Sequence, residues 1–167
     1  MASKRWVAVC VALALLTGCG HGANTPAAVA PAPPALVPPV HPNDANAWRM
    51  FMGRAILDVT HDPTLHPYAF VVPAGEGNDA AQRRQSEART IHTMLGRTAV
   101  PGNMIALTGP DSGKVAEVVA AAFKGLPAHA AQGLTVLFVG TPTAAQTVKE
   151  AVSAAGATLR VRATQAP

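Results

Sequence analysis

The segment Gly109-Pro110-Asp111-Ser112-Gly113-Lys114-Val115 places a glycine, a hydroxyl and a lysine between an apolar strand-like run and a helical one, where a phosphate-binding loop would sit. Its spacing departs from that chemistry. A phosphate loop needs four residues between its first Gly and the Gly-Lys pair, so that successive amides wrap the phosphates, and then Ser or Thr for magnesium. Here three residues intervene and Val115 takes the hydroxyl position. The alternative is a turn and helix cap built by Pro110, Asp111 and Ser112. Ser112 as a nucleophile would need a Gly-x-Ser-x-Gly elbow, which Gly109 to Gly113 does not form. Asp58, His61, Asp62 and His66 cluster in sequence, but Pro63 and Pro67 mark a loop and the spacing is no strong ligand pattern. Glu76 and Asp79 read as a solvated turn and cap, and His92 as a residue at the boundary of a helical stripe. No acid-base pair of defined separation is legible. No catalytic residue, cofactor or metal site is therefore expected.

Cys19 is the remaining reactive group. Ahead of it stand Lys4 and Arg5, an apolar run from Trp6 to Leu16, and then Thr17 and Gly18. A basic start, an apolar middle and a small-residue end make an export signal, and the run is shorter than the ~20 residues of a membrane span. Leu16-Thr17-Gly18-Cys19 resembles the lipobox of bacterial lipoproteins. That resemblance implies a signal peptide over residues 1–18, cleavage before Cys19, and lipidation of Cys19 as the new N-terminus. Several alkyl chains on one residue hold a protein stably at a bilayer. Gly20 in the following position, where an Asp favours inner-membrane retention in well-studied lipoproteins, implies the outer membrane. Export also removes the chain from ATP, a second argument against a nucleotide site.

The signal takes Cys10 with it, so the mature chain has no free thiol for a disulfide, a thiolate nucleophile or a Cys-ligated metal. Loss of Lys4 and Arg5 lowers the basic side chains from 13 to 11 against 9 acidic ones. The remaining charge is scattered and aromatic residues are few, which argues against nucleic acid as a partner. Residues 19–42 are rich in Ala and Pro, including Pro31-Ala32-Pro33-Pro34 and Val37-Pro38-Pro39-Val40. Such a run favours polyproline II and reads as a tether, which at ~3.1 Å per residue could span about 60 Å. Residues 43–167 are the length of one domain.

The elements that position any site follow from periodicity. Trp48, Phe51, Met52, Ala55, Ile56 and Val59 form one helical stripe, capped by Asn43 or Asp44 and expected to pack on its own domain. Tyr68 to Val72 reads as a strand. Asn78 or Asp79 is expected to cap a helix with Ala81, Arg84, Ala88, Ile91 and Leu95 on one face. Met104 to Leu107 is a second strand, and Val115, Val118, Val119, Ala122 and Phe123 stripe the next helix. Leu134 to Val139 is continuously apolar, as in a strand covered on both faces. Thr141 and Pro142 open a last helix with Val148, Ala151, Val152 and Ala155 inward, and Gly156 supplies its left-handed stop. Leu159, Val161 and Ala163 alternate with Arg160 and Arg162, which predicts a final strand with one wet face. The expected fold is α/β: a single layered domain, an N-terminal helix then β-α-β-α-β-α-β, with a mostly parallel or mixed sheet.

Val71-Val72-Pro73-Ala74-Gly75, Asn78, Ala80-Ala81, Arg83-Arg84, Ile91, Leu95, Val100-Pro101 and Ile105 resemble the strand-helix-strand portion of OmpA-like domains, and most of all the CpaD-type lipoproteins of pilus assembly. The CpaD-type resemblance implies an accessory that accompanies a secretin at the outer membrane. The OmpA-like resemblance implies a peptidoglycan-binding anchor, gripping diaminopimelate through an Asp and an Arg. Asp79 with Arg84 or Arg89 are the candidates, and Glu87 stands where one alignment places the Arg.

Three readings result. The first is a non-enzymatic lipoprotein anchored in the outer membrane, its domain facing the periplasm, supporting a pilus, secretion or conjugation assembly through a secretin-like or other protein partner. The alternatives are the peptidoglycan-binding anchor and, last, a periplasmic hydrolase whose groups only the fold assembles.

Overall fold

Strands β2 (Asn103–Thr108) and β3 (Thr135–Gly140) form the middle of the computed structural model, which describes residues 36–60 and 64–164. Around them lie α1 (Ala45–Val59), β1 (His66–Val71), α2 (Asn78–Thr98), α3 (Ser112–Phe123), α4 (Pro142–Ala154) and β4 (Thr158–Ala163). The strands run β1-β2-β3-β4 across one sheet and every neighbouring pair is parallel. The fold is thus α/β, one domain, with an all-parallel sheet of the described strands. Cys19 and its neighbours, together with His61 and Asp62, lie outside the described residues.

The strand period of two splits the core in half. Ile105, Leu107, Val136 and Phe138 join α2, α3 and α4 in one cluster, whereas Met104, Ala106, Leu137 and Val139 join α1 in the other. Each residue in turn thus faces the opposite layer. Crossovers of one hand between consecutive neighbours put α2, α3 and α4 on the same face. α1 precedes the first strand, so no crossover constrains it. Of the described helices it is the one on the other face, which it covers with Trp48, Phe51, Met52 and Ala55, all buried. Trp48 and Phe51 meet edge to face, ring centroids 5.5 Å apart, a geometry that aromatic pairs favour.

Local chemistry sets most element ends. The Asp44 carboxylate accepts the amides of Asn46 and Ala47 at 3.0 and 2.9 Å and starts α1. Thr141 caps α4, Pro142 occupies its first turn, and Gly156 follows its end at φ 80°. α2 departs from expectation. Its N-cap is Gly77, at φ 87° and with no side-chain cap bond, and the helix already begins at Asn78. Its buried stripe consequently starts at Ala80 rather than Ala81, continuing through Arg84, Ala88, Ile91 and Leu95.

β4 departs from the one wet face expected of it: Thr158 and Arg160 are exposed on the arginine side, and Val161 and Ala163 are exposed on the other. Arg160 Nη1 donates to the Val59 carbonyl at 2.8 Å, and Arg162 Nη2 meets Asp58 Oδ2 at 3.1 Å. Both arginines therefore grip the C-terminal turn of α1, whose free carbonyls and negative dipole end attract cations. The N-terminal side is also closed. Leu36 makes a parallel bridge with Thr164 and packs on the α1 cluster, and the Trp48 indole N–H donates to the His41 carbonyl at 3.2 Å. Leu36, inside the segment read as tether, is thus packed on the domain.

Met52 is 1% exposed and packs in the α1 cluster. Met52→Ala should cost about 2–5 kcal/mol, the usual range for a buried Met truncation, read as a lower urea midpoint with the slope unchanged.

Candidate functional site

The carboxyl ends of the strands gather the loops most able to hold a ligand, as in other open parallel sheets. β2 ends in Thr108, whose hydroxyl donates to the Val139 carbonyl at 3.0 Å and ties β2 to β3 across the rim. Gly109 follows. A Cβ there would lie 2.6 Å from the Val72 carbonyl oxygen and 2.9 Å from Val115, so only glycine lets the chain turn away between β1 and α3. Asp111 then caps α3, its Oδ1 accepting the amides of Gly113 and Lys114 at 2.9 and 3.1 Å. Those are the amides a phosphate would need. A carboxylate already occupies them, and Lys114 pairs with Glu117 at 3.3 Å. Segment 109–115 is a turn and cap.

Above this rim lies a hollow of about 500 Å³, walled by Val37, Pro39, Val40, Trp48, Phe51 and Pro110. The hydroxyls of Thr108, Ser112 and Thr141 touch it, and each serves the fold. Ser112 Oγ accepts the Thr141 amide at 3.2 Å, and Thr141 Oγ1 accepts from Ala144 N at 3.4 Å. No titratable side chain among the described residues lines the hollow. Its walls can exclude water and receive apolar groups. They carry no acid, base or activated nucleophile.

The candidates for a peptidoglycan grip are spread along α2. Asp79 lies exposed in the first turn, at a shallow hollow shared with Arg83 and Glu87. Arg84 is 9% exposed and donates through Nη1 to the Gly75 carbonyl at 2.8 Å, pinning the β1–α2 loop. Arg89 is exposed and bonds Ser86 Oγ at 3.1 Å. Ten residues of helix separate Asp79 from Arg89, a rise of about 15 Å. The helix does not bring the three side chains to one point. Glu87 is half-buried, and burial pushes its carboxyl above the ordinary value of 4.5.

The histidine and carboxylate cluster is partly described: Asp58 holds Arg162 and His66 lies exposed at the start of β1. Among the described residues no three His, Cys, Asp or Glu converge as metal ligands. His92 faces the Ala122 carbonyl at 2.7 Å through Nδ1 and joins α2 to α3, a role at the helix boundary. Sequence reasoning missed the apolar hollow because its outer wall is the Val37 to Pro42 segment. The one available signal was Trp48, whose indole N–H needs an acceptor when the ring is buried.

Removing the carboxylate cap with Asp111→Ala should cost about 1 kcal/mol, as at other N-caps, seen as a lower thermal midpoint. For Glu87 the raised pKa means that the folded state favours the protonated form. Its contribution is favourable below the ordinary carboxyl range and is lost as pH rises through the shifted value. Glu87→Gln should therefore raise the melting temperature at pH 7, and the gain should vanish in scans below about pH 4, under the ordinary Glu pKa.

Compared with known proteins, the chain matches no family model, no curated protein and no solved structure.

Proposed function

We propose that this chain is a lipoprotein anchored in the bacterial outer membrane through Cys19, whose α/β domain faces the periplasm as a non-enzymatic accessory or scaffold of an envelope assembly. Leu16-Thr17-Gly18-Cys19, at the end of a basic-then-apolar leader, carries this reading. Ala- and Pro-rich residues follow it, giving the domain reach from a bilayer. The apolar hollow at the strand ends, without acid or base in its lining, supports binding over turnover. Among the described residues no helix is long and apolar enough to cross a membrane. A pilus, secretion or conjugation machine, with a secretin-like component as partner, is the class of assembly such an accessory would serve.

Cys19→Ala removes the acyl-glyceryl acceptor while leaving every described contact of the domain in place. The variant should appear as an unprocessed or soluble exported form, whereas the parent should stay with outer-membrane fractions through a high-salt wash. Retention of Cys19→Ala in the washed membrane, with its leader removed, would overturn the reading. Crosslinking in intact cells should join the parent to an envelope protein, and recovery of lipid adducts alone would count against the scaffold role.

A further inference from the structure

The two edges of the sheet are finished differently. At β4 the Leu36–Thr164 bridge meets the chain one residue past the strand, and the two arginines turn toward α1. At β1 no described strand follows. The His66 amide bonds the Gly102 carbonyl at 2.9 Å and the Val72 amide bonds the Thr108 carbonyl at 2.8 Å. By the alternation of a parallel ladder, residues 66, 68, 70 and 72 direct their backbone groups to β2, and 67, 69 and 71 direct theirs outward. Pro67 has no N–H. The open edge therefore offers the amides of Ala69 and Val71 and the carbonyls of Pro67, Ala69 and Val71.

A groove of about 600 Å³ runs beside these groups, past Ala69, Val71 and Val72, between Trp48 and Arg49 of α1 and Arg83 of α2. Its rim is basic. Among the described residues Arg49 hydrogen-bonds neutral groups, the Ala45 carbonyl and Asn46 Oδ1, at 3.2 and 2.9 Å. Both arginines are exposed. The edge calls for extended backbone, the walls accept alternating side chains, and the rim selects charge.

We infer that the outer edge of β1 binds a short extended segment of a partner protein, with alternating apolar and acidic residues, as a fifth strand held by Ala69 and Val71 and flanked by Arg49 and Arg83. This is strand addition, in which main-chain bonds supply affinity and flanking side chains supply specificity. Two other occupants fit less well. A second copy joined edge to edge would bring Arg49 and Arg83 of both molecules to the same seam, and like charges there oppose pairing. The chain's own residues 20–35 hold no Asp or Glu and carry Pro26, Pro31, Pro33 and Pro34, and proline cannot complete a strand ladder. The site is independent of lipid at Cys19.

The test is a titration of the purified full-length chain with the capped peptide Val-Glu-Val-Glu-Val-Glu, followed by amide NMR and hydrogen exchange. Saturable binding below about 1 mM is expected, with the Ala69 and Val71 amides shifting and gaining protection. The matching Val-Lys peptide should bind at least about tenfold more weakly, as should the Val-Glu peptide to Arg49→Glu/Arg83→Glu, since reversed charges oppose the encounter. Because Arg83→Glu would set a third carboxylate between Asp79 and Glu87 on α2, Arg49→Gln/Arg83→Gln is the companion variant: it should keep the parent's melting temperature and still weaken binding of the Val-Glu peptide. Ala69→Pro, which deletes one outward donor, should weaken binding too. Equal affinity for both peptides, or no change at Ala69 and Val71, would overturn the assignment. So would protection of these amides before peptide is added, or a dimer broken by Ala69→Pro, because either result would give the edge to another occupant.

Discussion

The two central strands have no wet face, and the rest of the molecule follows from that condition. Ile105, Leu107, Val136 and Phe138 demand cover on one side, and Met104, Ala106, Leu137 and Val139 demand it on the other. Burying a large aliphatic side chain is worth roughly 1.5–3 kcal/mol, so neither side can be left open. Three crossover helices meet the first demand as a by-product of connecting parallel neighbours. The second falls to a single helix. α1 must be held over the middle of the sheet by something other than connectivity, which explains the concentration of polar ties at its two ends.

Those ties are short in number and long in sequence. Asp44 and the Trp48 indole fix the start of α1, while Arg160 and Arg162, about a hundred positions later, seize its final turn. A guanidinium fits this role because it spreads several donors over a flat group and keeps its charge at any physiological pH. The same economy governs the loop after β2. Asp111 satisfies the first amides of α3 from within, so its own carboxylate holds the place where other helix N-termini bind anions.

Much of this arrangement was legible locally. The α1 stripe, the continuous apolar run of β3, the Thr141-Pro142 start of α4 and the Gly156 stop are all patterns that neighbouring residues impose on one another. What periodicity could not reveal depended on distance. Strand order, the seating of Leu36 beside Thr164 and the engagement of α1 by β4 arginines each join residues far apart in the chain. An alternating arginine reads the same whether it points to water or to a helix end. Arg84 shows the limit most clearly: its place on a helix matched a ligand-binding expectation, yet its guanidinium is committed to the Gly75 carbonyl. The first turn of α2 misled for another reason, since Gly77 reaches its conformation through positive φ and leaves Asn78 and Asp79 inside the helix.

The Leu36–Thr164 bridge has a mechanical consequence. Because the two residues pair in parallel, a pull on the chain ahead of Leu36 runs along the strand direction and loads the bridge in shear. The sheet's own ladders lie beyond this contact. Below it, five residues lead from the bridge to His41, whose carbonyl is bonded to Trp48, a second stop before tension reaches the core of α1. Force would thus be shed in steps at the domain's margin, with the sheet and its four helices still intact.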